Sequence, residues 1–156
     1  MIGKFITASV AVASLVACTP PQDPALNDSI VTIKSNFDVE TTMDRLEQAV
    51  QDKSLRIFAR IDHAANAKAM DLQMRPSTLL IFGSPKIGSP LMREAPTMGL
   101  DLPVKALVYE GTDGQVYLSY NNPAYLKQRH NVVTNTAPLD KMTKALAGLS
   151  TQATSE

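Results

Sequence analysis

The chain has 156 residues, with 15 basic and 15 acidic side chains and one cysteine. That length fits one folded domain with one core. Balanced charge leaves no basic excess for a nucleic-acid partner, and a lone cysteine excludes an internal disulfide.

Lys4 is the only charged residue before Asp23, and it precedes an apolar run from Phe5 to Ala17. A positive start, a short apolar core and small residues before a cut site mark a secretory signal. The run is too short to span a bilayer, which takes roughly 20 apolar residues. Leu15-Val16-Ala17-Cys18 resembles the bacterial lipobox, in which the cysteine takes a diacylglycerol and the peptide is cut before it. An ordinary cleaved signal would not need the chain's only cysteine at that position. Residues 1–17 are therefore expected to be a signal peptide and Cys18 the lipidated first residue of the mature protein. One acyl chain anchors only marginally, whereas the two or three supplied by lipoprotein processing hold firmly. Thr19 stands where an Asp signals inner-membrane retention in lipoproteins of this type, so the expected location is the periplasmic face of the outer membrane. Loss of Lys4 leaves 14 basic against 15 acidic side chains, still without an excess that nucleic acid would require.

Residues 18–28 read as the lipidated cysteine and a Pro-rich, semi-rigid tether. Residues 29–149 form the domain, and 150–156, small and polar, form a tail expected to fray. Within the domain, Ile30–Phe37 alternates as a strand, with Val31 and Ile33 on one face. Asp38 or Thr41 then caps a helix whose stripe is Val39, Met43, Leu46 and Val50. Leu55, Ile57, Ala59 and Ile61 alternate with Arg56, Phe58 and Arg60, which predicts a second strand buried on one side. Ala64–Met74 is helix-prone, and Thr78–Phe82 is a compact apolar strand stopped by Gly83 and Pro85. The Pro- and Gly-bearing stretch 84–103 reads as a long loop with a turn near Leu91–Glu94. Val104–Glu110 and Gln115–Tyr120 are strands joined by a hairpin at Gly111-Thr-Asp-Gly114. Pro123–His130 opens a short helix at its proline, and Pro138–Leu149 is amphipathic along Leu139, Met142, Leu146 and Leu149. The order β-α-β-β-β-β-α implies a two-layer α+β domain, with a mostly antiparallel sheet and helices on one face.

From Thr41 to His130 the chain resembles the bacterial and archaeal family named domain of unknown function 302. The match is carried by Phe58-Ala-Arg-Ile-Asp-His63, Leu79-Leu-Ile-Phe-Gly-Ser-Pro85, Leu91-Met92, Gly99-Leu-Asp-Leu-Pro-Val-Lys105 and Tyr120-Asn-Asn-Pro-Ala-Tyr-Leu126. The resemblance implies a curved sheet similar to the TATA-binding-protein-like fold and a tendency to form homodimers. It implies no activity.

Few residues offer chemistry. His63, where the second strand runs out, could serve as a base or instead cap a turn. Asp101 either bonds backbone amides of the 84–103 loop or faces His63, and Lys86 could add a cation, giving a His63/Asp101/Lys86 acid-base cluster. Gly83–Pro90 fails as a phosphate loop because Ser89-Pro90 stands where Lys-Ser or Lys-Thr belongs. A Gly-x-Ser-x-Gly elbow is missing. Two histidines make a dedicated zinc site improbable, while Met70 and Met74, at helical spacing, could hold Cu(I) with His63 if they do not simply fill a core. Tyr109 and Tyr117 should pair across the hairpin, and Tyr120 is a candidate ligand contact beside His63, Lys86 and Asp101. None of these clusters implies a cofactor. The expectation is a tethered, dimeric, non-enzymatic module that holds a small ligand or an envelope partner in a groove formed by residues 84–103. The acid-base cluster and the copper site are its two alternatives.

Overall fold

The computed structural model describes residues 28–156, so the expected signal peptide, Cys18 and nearly all of the tether lie outside the described residues. In chain order the elements are β1 (Ile30–Lys34), α1 (Val39–Asp52), β2 (Arg56–Asp62), α2 (His63–Lys68), β3 (Ser77–Gly83) and α3 (Pro85–Glu94). A short 3-10 helix (Pro96–Leu100), β4 (Val104–Glu110), β5 (Val116–Asn121), α4 (Pro123–Arg129) and α5 (Thr136–Thr154) follow.

The strands form one sheet in the order β1-β5-β4-β3-β2, every neighbouring pair antiparallel. From β2 to β5 the chain meanders, and α1 carries it across the sheet from the β1 edge to the β2 edge. The expected two-layer α+β architecture is therefore present. Asp38 caps α1 by accepting from the Thr41 amide at 2.7 Å. The predicted stripe of α1 is buried, with Met43 and Val50 at 0 % exposure against Leu80 and Val108 of the sheet. Helix α5 packs beside α1 and adds Leu139, Met142, Leu146 and Leu149 to the same core. At the hairpin, Gly114 takes the positive φ (75°) that the turn needs, and Tyr109 stacks on Tyr117 with ring centroids 5.7 Å apart.

Three expectations are corrected. The alternation Leu55-Ile57-Ala59-Ile61 does not lie on one face. A β-bulge falls between Ile57 and Ala59, so Ile57 opposes Phe82 while Ala59 opposes Ile81. One extra residue turns the rest of a strand over. Ile57 therefore packs on the core, whereas Ala59 and Ile61 lie on the face away from the helices. The same inversion aims Arg60, opposite Leu80, at α1, where it bonds Asp44 at 2.6 Å and Glu47 at 3.1 Å.

Residues 84–103 are not a loop. Pro85 at the first turn starts α3, and the helix continues through Pro90. An internal proline costs about 3 kcal/mol, which burial of Leu91 (0 % exposed) and anchoring of the helix end by Glu94 offset. The Glu94 carboxylate accepts from the Val133, Thr134 and Asn135 amides at 2.7–2.8 Å and from both the Thr134 and Asn135 side chains.

Nor does the segment after Leu149 fray. Helix α5 runs on to Thr154, with Ser150, Ala153 and Thr154 buried. Arg45 donates to the carbonyls of Gln152 (2.8 Å), Ala153 (3.3 Å) and Ser155 (2.6 Å), while the Asn36 amide bonds that of Thr154 at 3.0 Å.

Candidate functional site

Two features at one end of the sheet could carry function. The first is an apolar cleft. The strand ends Gly83 and Val104, helix α3 and helix α5 converge around a cavity of about 310 Å3. Phe82 forms part of its floor, with Ile87, Met92, Leu102, Met142 and Leu146 around it. Helix α3 presents Gly88 to the cleft, where a Cβ would stand at ordinary contact distance, 3.5 Å from Leu102 and 3.7 Å from Met92. Ser84 and Ser89 supply the only side-chain hydroxyls among its lining residues, which include no charged group. Such a space accepts an apolar group and offers little chemistry.

The second feature is a buried polar chain. Between Leu100 and β4 the backbone is held by the Lys105 ammonium, which donates to the carbonyls of Leu100, Asp101 and Pro103 at 3.2–3.4 Å. Asp101 thereby points inward at His130, the residue that ends α4. His130 Nε2 lies 2.6 Å from Asp101 Oδ2, and Nδ1 lies 2.9 Å from Thr97 Oγ1. Side-chain exposure is 3 % for His130 and 9 % for Asp101. Asn121 donates to the other oxygen of Asp101 at 3.4 Å, and Arg129 Nε approaches Oδ2 at 3.6 Å.

Asp101 thus has a histidine partner, but not the expected one. His63 starts α2 just after Asp62, which pairs with Thr78 at the far end of β3. Asp101 sits instead at the Asn121 end of β5. Three strand spacings separate β2 from β5, at least about 14 Å, so the His63/Asp101/Lys86 cluster does not form. Lys86 lies exposed in the first turn of α3 and makes none of the bonds to Asp101. Tyr120 is 8 % exposed in the core, opposite Val31 and Ala106, and does not line the cleft. Met70 and Met74 fall beyond the end of α2, 73 % and 51 % exposed, so their spacing of four is not a helical pair. Among the described residues no group of three or more His, Cys, Asp or Glu is placed to hold a metal ion. Nothing local in the sequence marks His130. The one available signal was that Asp101 had two histidines to choose from.

The face of the sheet away from α1 and α5 carries Ile61, Leu79, Ile81 and Leu107, all half-buried, with the Tyr109–Tyr117 stack at one end. Among the described residues no helix is long and apolar enough to cross a membrane.

A family model described as domain of unknown function DUF302 matches residues 31–149. A protein of Brucella suis biovar 1 named fluoride-specific ion channel FluC 1 is 39 % identical over 113 residues, 72 % of this chain and 44 % of that protein. Its namesake in Brucella abortus biovar 1 shares the same identity over 42 % of its length. The chain thus spans less than half of the curated relatives it matches. A crystal structure of an uncharacterized conserved DUF302 protein from Bacillus stearothermophilus superposes with a TM-score of 0.71 at 18 % identity, covering 80 % of this chain and 97 % of that one. At that identity the likeness is one of fold.

Proposed function

This chain belongs to the DUF302 family, and from that premise we propose that it is a membrane-tethered binding module that takes a small apolar ligand into the cleft between α3 and α5. The observation that carries the proposal is the cleft itself: apolar, without a charged side chain, and bounded by the 84–103 segment. Small-molecule sites span about 300–1,000 Å3, so this one suits a small ligand. Its volume is about twice that of the ~150 Å3 apolar cavity that admits benzene, which sets the occupant at roughly a dozen non-hydrogen atoms. At about 0.4 kcal/mol per atom, binding amounts to about 5 kcal/mol, a Kd on the order of 0.1 mM.

Native mass spectrometry of protein equilibrated with a lipid and metabolite extract tests this reading. A ligand-bearing species is expected for the wild type and should vanish in Gly88→Leu, whose side chain enters the cleft. Bare protein in both samples would overturn the proposal.

The tether is the lipid on Cys18, at the periplasmic face of the outer membrane. The lipobox-like Leu15–Cys18 supports it. Cys18→Ser should release the protein into the soluble fraction. The second copy of a dimer covers the open sheet face, a reading supported by its half-buried Leu79, Ile81 and Leu107. Sedimentation should show a dimer that Leu107→Arg splits, and a monomeric wild type would end that part of the proposal.

A further inference from the structure

We infer that Thr97 is a nucleophilic hydroxyl that accepts an acyl group from a small activated ester or thioester, with His130 as its base and Asp101 as the residue that positions the base. Thr97 is not among the residues lining the cleft, so this site is separate from the one proposed above.

The proton positions follow from the geometry. A carboxylate only accepts, so the 2.6 Å contact with Asp101 places the imidazole proton on Nε2. With the ring neutral, the lone pair stands on Nδ1, where it can accept the Thr97 hydroxyl proton across the 2.9 Å contact. Hydroxyl, imidazole and carboxylate in that order are the signature of an activated nucleophile, recognised by geometry rather than by position in the chain. The base is held firmly: its ring is 3 % exposed, and Asn121, Arg129 and the Lys105-fastened backbone fix Asp101. Thr97, by contrast, is an exposed residue at the start of the 3-10 helix, within reach of an electrophile from solution. A mere tie between the 3-10 helix and α4 would leave Thr97 no more reactive than any other exposed threonine.

In the step, Thr97 Oγ1 bonds to the carbonyl carbon as its proton passes to His130 Nδ1. The bond from that carbon to the departing oxygen or sulfur breaks, and the leaving group takes the proton from His130. The products are an acyl ester of Thr97 and a free alcohol or thiol.

The test is to treat the full chain with 4-nitrophenyl acetate and map hydroxylamine-labile acetyl groups by peptide mass spectrometry. Thr97 should acetylate at least about 100-fold faster than the exposed Thr112 and Thr151, the scale of general-base assistance. Thr97→Val should abolish that label and Thr97→Ser retain it. Asp101→Asn, with its fold checked by circular dichroism, should slow the reaction by a similar factor. Equal rates at Thr97 and Thr112 in the wild type would overturn the inference, as would full labelling in folded Asp101→Asn. Either failure leaves ligand binding in the cleft untouched, since Gly88→Leu probes that alone.

Discussion

Replacing Arg45 by methionine tests how the chain's last turn is held. The substitution keeps an apolar stem but removes the guanidinium, and with it three hydrogen bonds of 2.6–3.3 Å to the carbonyls of Gln152, Ala153 and Ser155. It also removes the cation–π contact with Phe37, whose ring centroid lies 4.3 Å from the guanidinium carbon. A cation at a helix C-terminus is worth about 0.3–1 kcal/mol when exposed and up to ~2 when partly buried. The cation–π contact adds about 0.5–1 kcal/mol at a surface site. Arg45 is half-buried, so the sum falls near 2 kcal/mol. For a domain of this size each kcal/mol moves Tm by roughly 3–5 °C, and a fall of about 6–10 °C is expected in a circular-dichroism melt. Hydrogen exchange should quicken first at Ser150–Thr154, because the other end of α5 keeps its packing through Leu139 and Met142. An unchanged Tm together with wild-type exchange over that segment would refute the idea that Arg45 docks the C-terminus.

Phe82, 2 % exposed, belongs to both the core and the cleft floor, so Phe82→Ala should cost about 3–5 kcal/mol in urea unfolding. A small apolar ligand that fills the enlarged cleft should restore part of that loss, and its failure to do so would separate the cleft from the cavity the mutation opens. Glu94 accepts amide hydrogen bonds, that of Thr134 having the largest effect, then that of Val133, and its pKa is lowered from 4.5 to about 2. A depressed pKa contributes stability that is complete above 4.5 and is lost as pH falls towards 2. Urea midpoints of wild type and Glu94→Gln should therefore converge over that interval, and a constant gap between them would show that the charge is not what anchors α3.

Much of the fold was legible because it rests on short-range periodicity. The α1 stripe from Val39 to Val50, the β4–β5 hairpin and the alternating Val31 and Ile33 each announce themselves within a few residues. Local rules misread 84–103 for an equally physical reason. Pro90 argues against a helix interior, and burial of Leu91 and the Glu94 bonds some 40 residues away outweigh it. The candidate site was half legible: Asp101 was singled out, but its partner could not be chosen, since His130 lies 29 residues on and reaches it only after β4, β5 and α4 have turned back.

By itself, the sequence determined the five strands, helices α1 and α4 and the body of α5, the two-layer α+β class and the family, because side-chain periodicity and ordered local blocks suffice for those. Tertiary structure alone decided the bulge that turns Arg60 towards α1, the helix through Pro90, the docking of Thr154 and the pairing of Asp101 with His130. Each of these depends on contacts between residues distant in the chain, whose free energy overrides local preference only once the sheet has brought them together.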